Sequence, residues 1–397
     1  MDRSERHRKS WLTVTIVFDV ALLGIFKYLT FISKNLAWFT GNDNLIVEIA
    51  LPIGISFFTF QLMSYVFDVY SGKAATQSFF RLALYISLFP QLVAGPIVRY
   101  QQIVNELADR HDSFLDFLHG DGFRRFVYGL GKKVLLANYM AQIVDSAFAS
   151  VEWQDPSVMF AWFGAIAYTL QIYFDFSGYS DMAIGLGLMF GFRFPENFNY
   201  PYVSKSVSDF WKRWHISLTS WFRDYVYIPL GGNRVGKLRW ILNLFAVWLL
   251  TGVWHGANWT FILWGFIYFL ALLLEKTTGF AQRPNVLTRI WTLMIVILAL
   301  VFFRSENIAS GWRYTLAMFG FDVSGFAEID FVSTIKRTWF VFLIALCGAT
   351  PMLARIFRWL AAKRLEWIEY TWLLLIFVLS LFKVVALTYD PYIYFNF

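Results

Sequence analysis

Apolar runs of about twenty residues, each long enough for a helix to cross the hydrocarbon core of a bilayer, recur along this chain. They lie at about 11–32, 239–255, 258–275, 287–303, 338–358 and 370–388. Of the 397 residues, 58% are hydrophobic and 15% are charged, whereas soluble domains carry about 25% charged residues. A water-soluble domain could not bury this much apolar surface. The pattern predicts an all-α polytopic membrane protein.

Two further apolar stretches contain helix-breaking residues. Pro52 and Gly54 lie within residues 46–70, and two prolines and a glycine lie within residues 79–98. Proline is tolerated in membrane helices where neighbouring groups satisfy the freed backbone. We therefore expect a kinked span at 46–70 and a re-entrant or broken helix at 79–98.

The middle of the chain mixes polar and apolar residues. Residues 99–135 are polar and basic, and their GLGKK lacks the spacing of a phosphate loop, so we expect an interfacial amphipathic helix that runs to Phe148. A span is expected at Ser157–Phe176, and the polar FDFSGYSD predicts that this helix ends there. The total is roughly eight to eleven membrane helices, including broken ones, in a single domain over residues 1–397.

Positive charge is concentrated in loops, although the formal net charge is only +7. The amino terminus and residues 193–239 are rich in Lys and Arg, so the positive-inside rule places both in the cytoplasm. This distribution is typical of membrane proteins, and we expect no nucleic-acid partner. The single cysteine, Cys347, cannot form an internal disulfide, and no metal-ligand spacing surrounds it. We expect no metal site. The final YDPYIYFNF is interpreted as an interfacial aromatic segment.

His255 lies within an apolar run. A helix from Arg239 to His255 would be about 24 Å long, which places the imidazole well inside the bilayer. A histidine at that depth is costly and indicates a functional site, although it could simply hydrogen-bond a neighbouring helix. Trp254 and Asn258 interrupt the apolar run around His255, and this interruption favours a site.

A second histidine lies in the sequence SDFWKRWHISLTSWFRDYVYIPLGGNR. Helical spacing predicts one amphipathic helix on the membrane, with His215 on its apolar face. The polar face could bind an anionic headgroup or a nucleotide phosphate, or it could be a charged surface beside lipid headgroups. The apolar face comprises Trp211, Trp214, His215, Leu218 and Phe222, and the polar face comprises Lys212, Arg213, Ser220 and Arg223.

The residue types suggest proton transfer. A neutral imidazole can take a proton from a hydroxyl that attacks an acyl group. The chain contains no GxSxG nucleophile motif, so direct transfer with His255 as general base is the economical mechanism. Two carboxylates in FDFSGYSD could orient a histidine or could cap helix ends. The residues predicted to bind donor or substrate are Trp211, Lys212, Arg213, Trp214, Arg223, Trp254, Asn258, Asp175 and Asp181.

Three long motifs give a more specific indication of function than the single histidines do. They are FDFSGYSDMAIGLG, FRFPENFNYPYVSKSVSDFWKRWHISLTSWFRDYVYIPLGGNR and LLTGVWHGANWTFILWG. The chain resembles the membrane-bound O-acyltransferase (MBOAT) family, and in particular the bacterial branch that contains the membrane subunit of alginate O-acetylation. LPIGISFFTFQLMSYVFDVY and YISLFPQLVAGPIVRYQQI are similar to the same branch, so the resemblance covers nearly the whole chain.

The resemblance implies a tunnel through a helical bundle, with His255 as the catalytic histidine and His215 as the second. It implies transfer of an acyl group, most simply acetyl, from acetyl-CoA or another cytoplasmic thioester toward an extracytoplasmic polysaccharide, with no bound cofactor. The expected partners are the bilayer, the polysaccharide and a periplasmic acetyltransferase protein that completes transfer. The expected location is the bacterial cytoplasmic (inner) membrane. The chain begins near the expected third or fourth helix of the branch, so its amino-terminal spans appear shortened.

Three alternatives remain open. The branch that transfers D-alanine to teichoic acid shares the WKRWH-like and WHG-like elements, although YIPLGGNR followed by TGVWHGANWTF is more similar to the acetylating branch. A transporter or channel could use His255 as a relay, but transporters usually place several ionisable residues along a midplane path. An inactive scaffold is the third alternative, which the presence of both histidines disfavours.

Overall fold

The computed structural model describes residues 7–93, 95–108, 120–153, 156–282 and 284–386. Within these ranges the regular structure is helical, apart from one isolated β-bridge between Ser157 and Gly325. Six of the described helical segments are long and apolar enough to cross a membrane: Arg8–Thr40, Asp121–Glu152, Trp259–Thr278, Val286–Arg304, Phe331–Gly348 and Glu366–Ala386. The all-α polytopic membrane architecture is confirmed. The aromatic segment YDPYIYFNF lies outside the described residues.

The helices follow one another along the chain as a series of long spans and short connecting pieces. In order they are α1 (Arg8–Leu23), α2 (Leu29–Thr40), α3 (Ile55–Tyr70), α4 (Phe79–Ser87), α5 (Phe89–Leu92), α6 (Tyr100–Ala108), α7 (Asp121–Gly131), α8 (Asn138–Trp153), α9 (Val158–Met189), α10 (Val207–Phe210), α11 (Ile216–Phe222), α12 (Lys237–His255), α13 (Trp259–Thr278), α14 (Val286–Arg304), α15 (Ile308–Met318), α16 (Ile329–Gly348), α17 (Met352–Ala362) and α18 (Glu366–Ala386). Segments of π-helix at Gly24–Tyr28 and Lys132–Ala137 join α1 to α2 and α7 to α8, and a third follows α11 at Arg223–Tyr227.

The centre of the bundle is α9, a helix of 32 residues whose side chains are mostly buried. Such a helix is about 48 Å long. The prediction that it ends within FDFSGYSD is wrong, because the helix continues through Asp175 and Asp181 to Met189. Arg125 of α7 and two lysines of the π-helical turn after it, Lys132 and Lys133, pair with the carboxylates. Both carboxylates are therefore paired without a break in the helix.

Residues 121–153 pack along α9, and the prediction of an interfacial helix there is wrong. A Cβ added to Gly129 would lie 2.6 Å from the carbonyl oxygen of Gly178, and one added to Gly178 would lie 2.8 Å from that of Gly129. The two backbones therefore touch, which small residues permit between helices in membranes. This close approach brings the basic residues of α7 to the carboxylates of α9.

Prolines and one glycine set several helix ends. The expected span at 46–70 is shorter, because α3 begins only after Gly54, whose φ of 76° lies in the left-handed region that favours glycine. The helix predicted within 79–98 is broken, as expected, because α4 ends at Ser87 and α5 covers only Phe89–Leu92. The run expected at 338–358 is divided between α16 and α17, with Pro351 immediately before α17.

The segment around His215 is not one continuous helix. It consists of α10, a turn and α11, because His215 has a φ of 43° in the left-handed region that interrupts a helix. The backbone N–H of Ile216 donates to the carbonyl of Asn197 at 2.9 Å, which holds the interruption in place. The predicted apolar face is nevertheless buried, with Trp211, Trp214, His215, Leu218 and Phe222 all inside the protein.

Candidate active site

The hairpin of α12 and α13 places His255. His255 is the last residue of α12, and Asn258 caps α13 by accepting a hydrogen bond from the Thr260 backbone N–H at 3.1 Å. A Cβ added to Gly252 or to Gly265 would lie 2.5 Å from a carbonyl oxygen of the other helix. The two helices therefore cross in direct backbone contact, which fixes where the imidazole lies.

Aromatic rings enclose His255, whose side chain is buried. The centroid of its imidazole lies 5.0 Å from Trp254, 4.8 Å from Trp264 and 5.3 Å from Phe303, each in an edge-on arrangement. Such an enclosure keeps bulk water away from the ring. In a water-excluded site the electrostatic effect of each nearby group is larger than in water.

His215 is held by an amide. Its Nδ1 lies 3.1 Å from Asn197 Oδ1, and the same oxygen accepts hydrogen bonds from the backbone N–H and the hydroxyl of Ser217. Asn197 Nδ2 donates to Ser180 Oγ at 3.0 Å, which identifies Oδ1 as the acceptor. His215 Nδ1 therefore carries a proton, and Nε2 is the basic nitrogen. Among the described residues, Nε2 has no hydrogen-bond partner.

His215 lies outside the six candidate spans but is fully buried in the protein. Burial lowers the pKa of its imidazole to about 3. The ring is therefore neutral at physiological pH.

Trp254 connects the two histidines. Its indole centroid lies 5.9 Å from that of His215 and 5.0 Å from that of His255. Phe176 of α9 contacts the His215 ring edge-on at 4.6 Å. The structure thus brings together His215, His255 and Trp254 from separate parts of the chain.

His255 borders two cavities. The first, of about 50 Å³, is enclosed by the residues from Leu51 to Phe57 together with Lys27, Val93, Trp254 and His255. The second, of about 10 Å³, is lined by Ile172, Phe210, Trp211, Trp214, His255, Trp264, Tyr268, Leu300 and Phe303. We call them the Lys27 cavity and the Trp211 cavity. His255 is therefore a lining residue that the two cavities share.

The residues proposed to bind the donor separate into two groups. Trp211 and Trp214 line the Trp211 cavity with His255. Lys212 is exposed, Arg213 pairs with Asp209 at 3.0 Å, and Arg223 pairs with Asp224 at 2.7 Å. The two tryptophans thus belong to the interior of the site, whereas the three basic residues line neither of the two cavities.

The remaining predicted residues are engaged in the scaffold. Asp175 pairs with Lys133, and Asp181 pairs with Arg125 and Lys132. Asn258 caps α13 through Oδ1 and donates through Nδ2 to the Glu306 carbonyl at 2.7 Å. In the described part of the chain, no three His, Cys, Asp or Glu side chains form a group that could hold a metal ion.

Two site residues were not identified from the sequence. Asn197, which binds His215, lies in an Asn-rich loop where no pattern distinguishes it from its neighbours. Lys27 lines the Lys27 cavity, and its ammonium donates to the carbonyl oxygens of Trp254 and His255 at 2.5 and 3.1 Å. The signal for Lys27 was present, because an ionisable residue inside an apolar span is a functional candidate.

Comparisons with known proteins show which family and which relatives the chain is similar to. The model of the membrane-bound O-acyltransferase family, MBOAT, matches residues 8–309. The probable alginate O-acetylase of Pseudomonas aeruginosa is 44% identical over 333 residues, which cover 82% of this chain and 63% of that protein. The peptidoglycan O-acetyltransferase of Helicobacter pylori is 33% identical over 441 residues, which cover 98% of this chain and 83% of that protein. The teichoic acid D-alanyltransferase of Bacillus subtilis is 32% identical over 224 residues, which cover 54% of this chain and 56% of that protein.

Proposed function

This chain belongs to the membrane-bound O-acyltransferase family, and on that premise we propose that it transfers an acyl group, acetyl by preference, to hydroxyls of a polysaccharide outside the cytoplasm. The observation that carries the proposal is that His255 lines both the Lys27 cavity and the Trp211 cavity. A group in that position can meet a donor from one side and an acceptor from the other. His255 is proposed as the general base, and His215 as the second site histidine.

The contacts of α1 and α3 indicate which side the Lys27 cavity faces. The positive-inside rule places Arg8, at the start of α1, on the cytoplasmic side. Arg8 donates to the carbonyl of Tyr70 at 2.9 Å, so the end of α3 lies at the same level. The start of α3 is about 24 Å away along the helix, and it is there that Gly54 and Ser56 line the Lys27 cavity. The Lys27 cavity therefore lies toward the extracytoplasmic face.

The Trp211 cavity lies toward the cytoplasmic face by the same reasoning. Its Phe210 and Trp211 belong to the basic loop that the positive-inside rule holds in the cytoplasm. The carboxylate of Glu275, near the end of α13, accepts from the backbone N–H groups of Val207 and Ser208 at 2.7 and 3.1 Å. The exposed basic residues near this loop could attract the phosphates of an anionic thioester.

The chemistry proposed for His255 is a direct transfer. The imidazole accepts the proton of an acceptor hydroxyl as that oxygen attacks the thioester carbonyl carbon. The carbon–sulfur bond breaks as the ester bond forms, and the thiolate takes the proton from the imidazolium. The products are an O-acyl ester, a free thiol and a neutral histidine. Both cavities are smaller than ordinary ligand pockets of about 300–1,000 Å³, so side chains between them must move when substrates enter.

The proposal also specifies the donor, the membrane and a partner protein. The donor is acetyl-CoA or another cytoplasmic acyl thioester, and the membrane is the bacterial cytoplasmic membrane. A periplasmic protein completes delivery to the final polysaccharide. Relatives named for O-acetylation of alginate and of peptidoglycan support acetyl as the group and a glycan as the acceptor. D-alanyl transfer is the second candidate, and the shorter match to the D-alanyltransferase makes it weaker.

The proposal is tested on the full chain, purified and supplied with acetyl thioester, and on cells with and without the protein. We expect thioester consumption that depends on the protein. Nuclear magnetic resonance of the exopolysaccharide and wall glycans is expected to show an O-acetyl signal that disappears when the protein is removed. Glycans with unchanged acetylation, together with an unconsumed thioester, would show that the chain is not an O-acetyltransferase.

A further inference from the structure

Lys27 is an ammonium group buried within the first long helical segment, Arg8–Thr40. A charged side chain at membrane depth is costly and usually pairs with another charge or with backbone carbonyls. The Lys27 Nζ lies 2.5 Å from the carbonyl oxygen of Trp254, 3.1 Å from that of His255 and 3.2 Å from Ser56 Oγ. An ammonium has three N–H donors, so these three contacts occupy all of them. These contacts tie Lys27 to the end of α12 and to the first turn of α3.

Two of the three acceptors stand at the end of α12. The last carbonyl groups of a helix have no partner within the helix, and the carboxyl end of the helix carries the negative part of the macrodipole. A cation placed there donates hydrogen bonds to these carbonyl groups and offsets the negative partial charge of the helix end. Because His255 is the last residue of α12, the group that fixes this helix end also fixes the backbone from which the imidazole projects.

The local backbone supports a dedicated role for Lys27. It lies in the π-helical turn Gly24–Tyr28 that interrupts an otherwise α-helical segment. Such turns are rare and frequently mark functional sites. The ammonium also lies 5.7 Å from the centroid of the Trp254 ring, and that ring contacts both histidines. One side chain from the first span thus touches the backbone and the ring that organise the site.

We infer that Lys27 is a positioning residue for His255, which holds the carboxyl end of α12 so that the imidazole lies between the two cavities. The inference rests on the proposed function for its kinetic consequence. When the ammonium is removed, the carbonyl groups of Trp254 and His255 lose the hydrogen bonds from Lys27 Nζ, and the last turn of α12 is held less firmly. A misplacement of about 1 Å at a reacting group can lower a rate on the order of 10²-fold.

The test compares Lys27→Met with Lys27→Gln in the full chain. Methionine is closer to lysine in shape, whereas glutamine is shorter but still donates hydrogen bonds to carbonyl oxygens. If Lys27 positions His255 through those bonds, kcat should fall in the order wild type, Gln, Met, with a loss for Met on the order of 10²-fold. KM for the thioester should stay within about twofold, as expected when ground-state binding is not altered. A packing role alone predicts the reverse order of Gln and Met.

A second readout does not depend on activity. Hydrogen–deuterium exchange of the last turn of α12 should be faster in Lys27→Met than in wild type, with the first half of α13 unchanged. Lys34→Met is the matched control, since Lys34 lies on the same helical segment but is exposed. Its Nζ forms a surface ion pair with Glu48 Oε1 at 3.6 Å. That control should leave kcat and exchange as in wild type.

Outcomes for the inference and for the proposed function are separable. Faster exchange in Lys27→Met with an inactive wild type would refute acyl transfer and support the contact at α12. Wild-type kcat and wild-type exchange in Lys27→Met would overturn the inference while leaving the proposed function intact. If Lys27→Met does not insert, Lys27→Gln carries the test: a lower kcat at unchanged KM supports the inference, and a wild-type kcat overturns it.

Discussion

Replacing His255 with alanine is expected to lower the rate of acyl transfer by about 10²–10⁴-fold, the usual contribution of a general base. The side chain of His255 is buried among three aromatic rings, and the residue lines both cavities. Truncation to alanine removes the proposed proton acceptor from that space. The rate is measured as thioester consumption by the purified protein, and as O-acyl ester on the glycans of cells that make each variant.

Two further variants make the His255 result interpretable. His255→Gln fills most of the space of the imidazole but cannot accept a proton, so it should lose activity as alanine does. His7→Ala is the matched control, because His7 is an exposed histidine outside the site. All three proteins should insert and purify as wild type. Wild-type turnover in a well-folded His255→Ala protein would remove His255 from the mechanism.

The second large effect concerns stability rather than rate. Asp175→Asn is expected to destabilise the protein by about 3–5 kcal/mol, because it leaves a buried lysine without its carboxylate. Asp175 and Lys133 lie 2.6 Å apart, and their side chains are 2% and 7% exposed. The free energy of unfolding in detergent, followed by tryptophan fluorescence, measures the change.

A double variant and a surface pair test the cause of that loss. Asp175→Leu combined with Lys133→Met should recover much of the stability, since an apolar pair can replace a buried ion pair. Asp145→Asn breaks the exposed pair with Arg304, at 2.9 Å and with side chains 67% and 38% exposed, and should change the unfolding free energy by less than about 1 kcal/mol. If Asp175→Asn and Asp145→Asn lowered the unfolding free energy equally, burial of the Asp175 pair would not be the cause of the loss.

The sequence predicts the long helices well and the connections between them poorly. Apolar length alone locates α12, α13, α14 and α18 to within a few residues, because a membrane helix must satisfy its backbone internally. The same reasoning fails at Asp175 and Asp181, where local polarity indicates a helix end. The carboxylates are satisfied by residues 42 to 56 positions away in sequence, and no local pattern records such pairing.

The candidate site, too, was predicted from the sequence only in part. The depth of His255 follows from the length of one helix, and the buried face around His215 follows from helical spacing. What was missed depends on long-range contacts, since Lys27 and His255 are 228 positions apart. The left-handed backbone at His215 was also missed, because the bonds that hold it come from Asn197.

The central claim is that an acyl group passes across the membrane at His255, from a cytoplasmic donor to an acceptor on the other face. Purified protein in oriented vesicles tests it most directly, with labelled acetyl thioester on one face and, on the other, a glycan acceptor together with periplasmic extract as the source of the partner protein. With donor only on the face that exposes Lys205 and Lys237, the acceptor on the opposite face should become labelled, and His255→Ala vesicles should show no label. Equal labelling with donor supplied on either face, or labelling only when donor and acceptor share a face, would contradict the account.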